Sequence, residues 1–300
     1  ASRVGAAPAA WVHELGAIVK AAAELAGSSP GPLFADLLHG VVVSDAHRSA
    51  AAALCHGTQR IVWLGAMALR HPSSVDLRAL GAELARVSGA RLGLLAEGGN
   101  AAGLWLAGCV PHREAGGRAA TAIGHSVQAM LEHPQRAYLL VGAMEPEADF
   151  ADATLAERAL NQAACVVALT PFASESIKRV AHVLLPMAAF AETSGSYINL
   201  AGMMQSQTAA TAAPGEARPG WKILRVLGNQ LGLDGFGYDS TADVLAELQL
   251  AAGGIRYDGR FAGGHAFGAE PGGTTTELPI YRVDAIVRRA TALQMTRAGR

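Results

Sequence analysis

The chain has 300 residues, of which 51% are hydrophobic and 16% are charged, and this composition excludes a disordered acidic or basic polymer. The 24 Lys and Arg residues nearly balance the 25 Asp and Glu residues, so the net charge of −1 provides no electrostatic footprint for nucleic acid. No apolar run reaches the roughly 20 residues of a membrane-spanning helix, which predicts a soluble protein or a soluble part of a larger one.

The opening 57 residues carry a helical pattern. Apolar side chains repeat at helical spacing from Trp11 to Leu25, and the run 27–31 ends that helix. From residue 58 onward, short apolar runs alternate with amphipathic stretches. Strands are predicted at 60–67, 91–96, 137–142, 164–170 and 182–185, with helices from 71–74 to Gly89, over 118–132 and over 150–162. This alternation predicts an α/β fold with a doubly wound, mostly parallel sheet.

After residue 190 the pattern becomes less regular. Pro219 begins a predicted helix that ends at Gly232, and Ser240 caps another that runs through Ala251. Residues 253–279 are rich in glycine and predict an irregular arm, after which 283–294 are expected to form a last basic helix. The predicted domains are a helical lead-in over 1–57, a doubly wound α/β domain over 58–250, and an irregular arm with a terminal helix over 251–300.

Three loops follow predicted strands, at the carboxyl edge where open parallel sheets bind ligands. The glycine-rich loop 96–103 either brings backbone N–H groups close to a phosphate or makes a tight strand-to-helix turn. The carboxylates of 142–149 either contact a ribose or a cation, or lie near a helix N-terminus where negative charge is favourable. In 170–175 the hydroxyls of Thr170 and Ser174 are expected to cap a helix.

The sequence predicts no catalytic residue and no metal ligand. It contains no Gly-x-Ser-x-Gly motif, and His125 and Ser126, as neighbours in a predicted helix, point to different faces. The ten histidines lack the spacing of a zinc site. An iron–sulfur cluster usually needs four cysteines, whereas Cys55, Cys109 and Cys165 lie more than 50 residues apart and suggest reduced thiols in a cytosolic setting.

The segment 181–207 is the densest unusual stretch. Pro186 is expected to end a strand, because its missing N–H cannot serve a central ladder. The polar run 192–197 follows, and then Asn199, Gly202 and Gln205 in a stretch predicted to be irregular. This pattern predicts a long loop across the carboxyl edge of the sheet, which is either a ligand wall or a self-packed plug.

The same segment carries a family resemblance. Its strand, Leu-Leu-Pro, Phe190, the run 192–197, Asn199, Gly202 and Gln205 are similar to the signature of molybdopterin-dependent oxidoreductases. From about residue 58 to the C-terminus, the chain most closely resembles the G subunit of bacterial NADH:quinone oxidoreductase, respiratory complex I. The stretches that carry this narrower likeness are 97–100, 142–149, 214–224 and 283–289.

The resemblance implies a molybdopterin-oxidoreductase-like variant of the Rossmann fold with a relict, empty cofactor cleft. In related molybdenum enzymes, loops at the carboxyl edge of the sheet hold a pterin–guanine dinucleotide. The residues that would line the cleft here are Gly98, Gly99, Asn100, Glu145, Thr193, Ser194, Gly195 and Asn199. His182 stands where the family often has Asp, and Met203 where an Arg often follows the glycine. Because Met cannot pair with a phosphate as Arg does, no bound molybdopterin is expected.

For function, the resemblance implies a non-catalytic structural domain that supports electron transfer from NADH to quinone. The iron–sulfur clusters would lie outside this chain, so the protein would be part of an enzyme without catalytic residues of its own. Its expected partners are the cluster-bearing N-terminal part of the same subunit and other peripheral-arm subunits, at the cytoplasmic face of the bacterial inner membrane. Two alternatives stay open: a working oxidoreductase fragment that binds molybdopterin–guanine dinucleotide, and a free-standing nucleotide-binding protein.

Overall fold

The computed structural model describes residues 3–253 and 279–299, and these fall into two compact units. The first unit contains residues 3–98, and the second contains residues 99–253 and 279–299. Most of the predicted glycine-rich arm, residues 254–278, lies outside the described residues. The domain bounds predicted at 57/58 and 250/251 stay predictions.

The first unit is a helical layer packed on a two-stranded parallel sheet. Its elements are α1 (Trp11–Leu25), α2 (Ala35–His39), α3 (Asp45–Cys55), β1 (Ile61–Leu64), α4 (Ala66–Leu69), α5 (Ser74–Ser88) and β2 (Arg91–Leu94). Helix α1 packs against α3 and α5, and the core includes the fully buried Val19 and Leu80. As predicted, Gly89 ends α5 in a left-handed conformation, with φ at +69°.

The second unit contains a three-stranded parallel sheet, a two-stranded hairpin and eight α-helices in its described part. The strands are β3 (Ala137–Val141), β4 (Cys165–Thr170), β5 (Val183–Pro186), β6 (Gly195–Ile198) and β7 (Met204–Gln207). The helices are α6 (Ala101–Leu106), α7 (Val127–Glu132), α8 (Pro146–Asp149), α9 (Ala153–Gln162), α10 (Glu175–Val180), α11 (Gly220–Gln230), α12 (Thr241–Ala251) and α13 (Thr291–Gln294). These elements, together with the first unit, confirm the predicted α/β class with parallel sheets.

Parallel pairing in the order β3-β4-β5 determines where the loops of the second unit lie. Right-handed crossovers that advance in one direction place their helices on one face of a sheet. Accordingly, Leu160 of α9 and Ile177 of α10 share one core with Leu140 of β3 and Val166 of β4. All three strands therefore end at the same edge, and the loops that follow them begin there.

The helix predicted over 118–132 is wrong for most of its length, because α7 covers only Val127–Glu132. Residues 118–124 bond back to the preceding stretch instead, with Ala120 N donating to His112 O and Gly124 N to Pro111 O. Ser126 then caps α7, since its Oγ accepts from Ala129 N at 3.2 Å. The backbone donors of this stretch are thus used outside a helix.

The irregular stretch predicted around Asn199 and Gln205 is also wrong. Strands β6 and β7 form an antiparallel hairpin in which Tyr197 lies opposite Gln205. Asn199 closes the turn, because its N–H donates to Met203 O at 3.1 Å while its Oδ1 accepts from Met203 N at 3.0 Å. The strands of this short hairpin contain polar residues, so they lack the continuous apolar run from which the other strands were predicted.

The single basic helix predicted over 283–294 is wrong as well. This part of the chain forms 3₁₀ turns at Ile280–Arg282 and Val287–Arg289 before the short α13. Asp284 interrupts the helix, because its Oδ1 accepts from Ile286 N and Val287 N at 2.9 Å each. We call residues 279–299 the strap.

The predicted signals for the two later helices are confirmed. Pro219 directly precedes α11, and Gly232, with φ at +68°, follows its end. Ser240 caps α12 by accepting from Asp243 N at 3.2 Å. Among the helices within 3–253 and 279–299, none is both long and apolar enough to cross a bilayer.

Candidate functional site

The carboxyl edge of the sheet β3-β4-β5 is the candidate site, because ligands of open parallel sheets bind where strands end. The chain leaves β3 through Gly142 and Ala143, which have φ values of +100° and +61°. This left-handed pair turns the backbone sharply into α8. The turn places Glu145 and Asp149, two carboxylates of the predicted loop 142–149, at the edge.

Arginines of the strap neutralise these two carboxylates. Glu145 is buried, with 8% of its surface exposed, and its carboxylate accepts a hydrogen bond from Arg289. Arg288 donates from Nη2 to both carboxylate oxygens of Asp149, and its Nη1 lies 3.7 Å from Glu145 Oε2. A buried carboxylate is costly unless it is paired in this way. One predicted alternative was that the carboxylates of 142–149 contact a cation. Glu145 does contact one, but this cation is an arginine side chain of the same chain.

The two arginines are the residues that sequence reasoning missed at this edge. In the sequence, the adjacent pair Arg288-Arg289 is visible within a basic stretch. Its carboxylate partners, however, lie up to 144 residues away in the chain. Arg289 also places its guanidinium carbon 4.0 Å from the centroid of the Phe172 ring, in the loop after β4. The strap thus contacts the loops that follow two neighbouring strands.

Asn100 lies against the hairpin rather than in an open cleft. Its Oδ1 accepts a hydrogen bond from Ile198 N, the last residue of β6, at 2.8 Å. Gly103 in α6 makes room for this amide, since a Cβ atom there would lie 2.0 Å from Asn100 Oδ1. The structure therefore brings Asn100 to the strand that begins at Gly195 through a bond within the chain.

The other predicted cleft residues of the hairpin region are also bonded to neighbouring backbone. Thr193 Oγ1 donates to Ser194 O at 3.2 Å, and Ser194 Oγ accepts from Ala209 N at 3.3 Å. Asn199 Oδ1 accepts from Ala201 N and from Met203 N, at 3.0 Å each. Each of these side chains satisfies a local backbone group.

Gly98 and Gly99 lie at the boundary where the first unit ends and the second begins. Gly98 has φ at +78°, a conformation that favours glycine. A Cβ atom at either position would meet no heavy atom within 4 Å among the described residues. The requirement for glycine at Gly98 is therefore conformational rather than steric.

A cavity of about 260 Å³ opens where β4 and β5 end. Its lining is mainly apolar and comprises Thr170, Pro171, Phe172, Pro186, Met187, Ala189, Glu192, Pro214 and Ala217. None of the eight predicted cleft residues lines it. Two of its polar side chains serve the local backbone, since Thr170 Oγ1 donates to Phe172 O at 2.8 Å and Glu192 Oε2 accepts from Ala189 N at 2.9 Å.

The first unit contains a serine, a histidine and a glutamate connected like a hydrolase triad. Ser44 Oγ lies 2.9 Å from His47 Nδ1, and His47 Nε2 lies 2.8 Å from Glu14 Oε2. This hydrogen bond from His47 lowers the pKa of Glu14. However, Ser44 N also donates to Nδ1, at 3.0 Å, so a proton arriving on Nδ1 would oppose that N–H. The arrangement caps α3 and does not provide a free general base.

Metal ligands do not cluster in the described residues. Within 3–253 and 279–299, no three His, Cys, Asp or Glu side chains are placed to hold a metal ion. The cysteines there are free thiols, with Cys109 and Cys165 exposed and Cys55 half-buried.

A profile of the molybdopterin oxidoreductase family matches residues 12–230, which is more than half of the chain. The chain belongs to the molybdopterin oxidoreductase family. The match begins at the start of α1 and ends with α11, so it covers the strands of both units but neither α12 nor the strap.

Two kinds of enzyme stand among the curated relatives. The chain is 31% identical over 124 residues to a nitrate reductase of Synechocystis, a stretch that covers 41% of this chain and 17% of the relative. It is 35% identical over 112 residues to the assimilatory nitrate reductase catalytic subunit of Bacillus subtilis, covering 37% and 16%. It is 42% identical over 66 residues to the mitochondrial NADH-ubiquinone oxidoreductase 78 kDa subunit of Neurospora crassa, covering 22% and 9%. The aligned stretches are thus small parts of these relatives.

The residues at the cavity do not fit a pterin–guanine dinucleotide, the ligand that the resemblance implies for related molybdenum enzymes. Binding pockets for drug-sized ligands usually measure about 300–1,000 Å³, whereas this cavity measures about 260 Å³. Its lining, as far as the chain is described, holds one carboxylate and no Lys, Arg or His to meet a phosphate. At the two departures from the family pattern, His182 Nδ1 accepts from Val166 N at 3.0 Å and the Met203 side chain is exposed.

Proposed function

We propose that this chain is a non-catalytic structural domain of an NADH:quinone oxidoreductase, equivalent to part of the G subunit of bacterial complex I. It would support electron transfer from NADH to quinone through iron–sulfur clusters that lie elsewhere in the enzyme. The proposal draws on the likeness to the 78 kDa and 75 kDa subunits of NADH-ubiquinone oxidoreductases in Neurospora crassa, Candida albicans and Reclinomonas americana.

One observation carries the structural role: the polar side chains of the expected cleft are already bonded within the chain. Glu145 is paired with the strap, Asn100 accepts from Ile198 N, and Asn199 accepts from its own turn. A ligand that needs these same acceptor atoms would have to break the bonds and replace each of them to bind there. Such a site is arranged for packing rather than for turnover.

The proposed partners follow from the same assignment. They are the cluster-bearing part of the same subunit and the neighbouring subunits of the peripheral arm, at the cytoplasmic face of the bacterial inner membrane. Bound molybdopterin is not part of the proposal, and neither is a metal ion held by this chain.

The test uses the intact enzyme that contains this chain, purified from its source. Molybdenum and tungsten are measured by mass spectrometry, and released pterin is measured by its fluorescence. We expect neither metal nor pterin in proportion to the chain, together with NADH-dependent reduction of quinone. One molybdenum and one or two pterins per chain would overturn the structural role.

A second candidate is an oxidoreductase fragment that binds molybdopterin–guanine dinucleotide. The nitrate reductases among the relatives favour it, because they align over longer stretches than the NADH-ubiquinone oxidoreductase subunits do. Asn199→Asp separates the two candidates, since Asp keeps both acceptor bonds of the turn but adds a negative charge. The structural role predicts an unchanged rate in the assembled enzyme, whereas a cofactor role predicts a loss of activity and of bound pterin.

A further inference from the structure

We infer that the cavity at the ends of β4 and β5 binds a compact organic cation that has an apolar body. The inference does not depend on the proposed function, because it rests on the size and the chemistry of the lining alone. It also differs from the ligand of the family, which is a large anion.

The size of the cavity sets the size of the ligand. A cavity of roughly 150 Å³ is enough to hold benzene, and this one measures about 260 Å³. A single ring or a short branched chain with one polar group fits that volume. The walls suit such a body, because Pro171, Pro186, Met187 and Pro214 present carbon and sulfur surfaces to it.

The charge of the cavity comes from Glu192. It is the one ionisable residue that lines the cavity in the described part of the chain. Its Oε2 accepts a single hydrogen bond, from Ala189 N, and an ionised carboxylate has acceptor capacity for several more. A protonated amine or guanidinium is the group that complements a carboxylate beside apolar walls.

Phe172 adds a second attraction for a cation. The face of an aromatic ring attracts a cation placed within about 6 Å of its centroid. The Arg289 guanidinium, 4.0 Å from the centroid of the Phe172 ring, occupies one face, so a ligand cation would have to meet the opposite face. Glu145 neutralises the charge of Arg289. Arg289 therefore does not weaken the attraction between Glu192 and a ligand cation as an unpaired positive charge would.

Arg218 is the cation nearest to the lining in sequence, and its contacts direct it away from an anion-binding role. Its Nη1 donates to Ala217 O at 2.9 Å and lies 3.5 Å from Gly215 O. The residue is exposed and is not among those that line the cavity. The local balance therefore favours a cationic ligand over an anionic one.

The experiment uses the full chain and three probes of nearly equal shape: benzylamine, benzyl alcohol and benzoate. Binding is measured by calorimetry and located by shifts of backbone amide NMR signals. We expect benzylamine to bind most tightly, benzyl alcohol more weakly and benzoate not at all, with the shifts confined to the lining residues. Benzoate binding as tightly as benzylamine, or no binding by any probe, would overturn the inference.

Glu192→Gln is the decisive variant, because the amide oxygen of Gln can still accept from Ala189 N while the charge is lost. A charge-assisted hydrogen bond is worth about 1.5–3 kcal/mol, so we expect benzylamine to bind at least about tenfold more weakly. The affinity for benzyl alcohol should stay the same. Glu216→Gln is the matched control, since Glu216 is exposed and does not line the cavity.

A second arm keeps the test informative and identifies the source of the cation. Phe172→Leu keeps an apolar wall but removes the ring, and it should weaken benzylamine more than benzyl alcohol. Butylguanidinium represents an arginine side chain of a partner protein, and benzylamine represents a free aromatic amine. The probe that binds more tightly identifies the source of the cation. If Glu192→Gln weakens the binding of benzylamine, butylguanidinium and benzyl alcohol equally, the charge of Glu192 does not have the role inferred here.

Discussion

Arg288 donates from Nη2 to both carboxylate oxygens of Asp149, at 2.9 and 3.0 Å, although 139 residues separate the two in the chain. The side chain of Arg288 is nine-tenths buried, and its Nε and Nη1 have no hydrogen-bond partner among the described residues. The buried charge is therefore held by the carboxylates of the loop after β3. The strap and that loop depend on each other for neutralisation.

Arg289→Gln tests this dependence. The variant leaves Glu145 buried without its main charge partner, and breaking a buried ion pair costs about 3–5 kcal/mol. Because about a third of the Arg289 side chain is exposed, we expect the free energy of unfolding to fall by about 3 kcal/mol, at the low end of that range. Urea denaturation measures it.

Arg158→Gln is the matched control for that experiment. Arg158 is exposed on α9, and surface substitutions of this kind usually change stability by less than about 0.5 kcal/mol. Equal effects of the two substitutions would contradict the role of the Arg289–Glu145 pair.

Gly103→Ala tests the contact between α6 and the hairpin. A Cβ atom there would displace Asn100 Oδ1 from Ile198 N, so overpacking and a lost hydrogen bond should cost about 1–3 kcal/mol. Adding Asn100→Gly removes the clash. In a double-mutant cycle on urea unfolding, Gly103→Ala should therefore cost little in the Asn100→Gly background. Simple additivity of the two substitutions would sink this explanation.

Asn199→Ala tests whether Asn199 serves the turn of the hairpin. The variant leaves Ala201 N and Met203 N without their acceptor, and we expect a loss of about 1–2 kcal/mol in the free energy of unfolding. Asn199→Asp should keep most of the stability, because its carboxylate accepts from the same two N–H groups. If both variants lose the same amount, the acceptor bonds are not what the residue provides.

Glu83 predicts a dependence of stability on pH. Burial raises the pKa of this carboxyl group, but hydrogen bonds from Arg86 and Gly31 N outweigh burial, so the pKa lies below its ordinary value. The unfolded chain, in which a Glu has a pKa of about 4.3, then takes up protons first as the pH falls. The contribution of Glu83 is therefore complete above about pH 5 and is lost as the pH falls through the lowered pKa of the folded state.

Glu83→Gln should lower the free energy of unfolding at pH 7 by about 1–2 kcal/mol and flatten its decline between about pH 5 and 3. Denaturant unfolding at a series of pH values measures both effects. Glu24→Gln is the control, because Glu24 forms an exposed pair with Arg48, which contributes at most about 1 kcal/mol. A decline as steep in Glu83→Gln as in the parent would refute the assignment.

The sequence predicted the local part of the fold well, for physical reasons that act over short distances. Continuous apolar runs mark β3, β4 and β5, of which the central strand β4 is mostly buried and packs in one core with α9 and α10. Gly89 and Ser240 mark helix ends, since caps depend on neighbouring backbone groups alone.

One error falls where distant contacts act on the backbone, whereas those over 118–124 and at the hairpin β6-β7 come from bonds to nearby backbone. Within 283–294, Asp284 interrupts the predicted helix, and Arg288 and Arg289 then reach carboxylates in the loop after β3. No residue pattern within 283–294 indicates that the partners of these arginines lie so far away in the chain. The fold class and the carboxyl edge could thus be predicted, whereas the strap and the cavity beside Glu192 required the three-dimensional structure.

The 139 residues between Asp149 and Arg288 also determine when this part of the second unit can form during synthesis. A ribosome that adds about 5–20 residues per second needs roughly 7–28 s to advance from Asp149 to Arg288, the 139 residues between them. During that interval the nascent chain has its β3 loop but not the guanidinium groups that neutralise it. This edge can therefore mature only after Arg288 has been synthesised, and a ribosome stalled before Arg288 would leave two acidic groups exposed to chaperones and proteases.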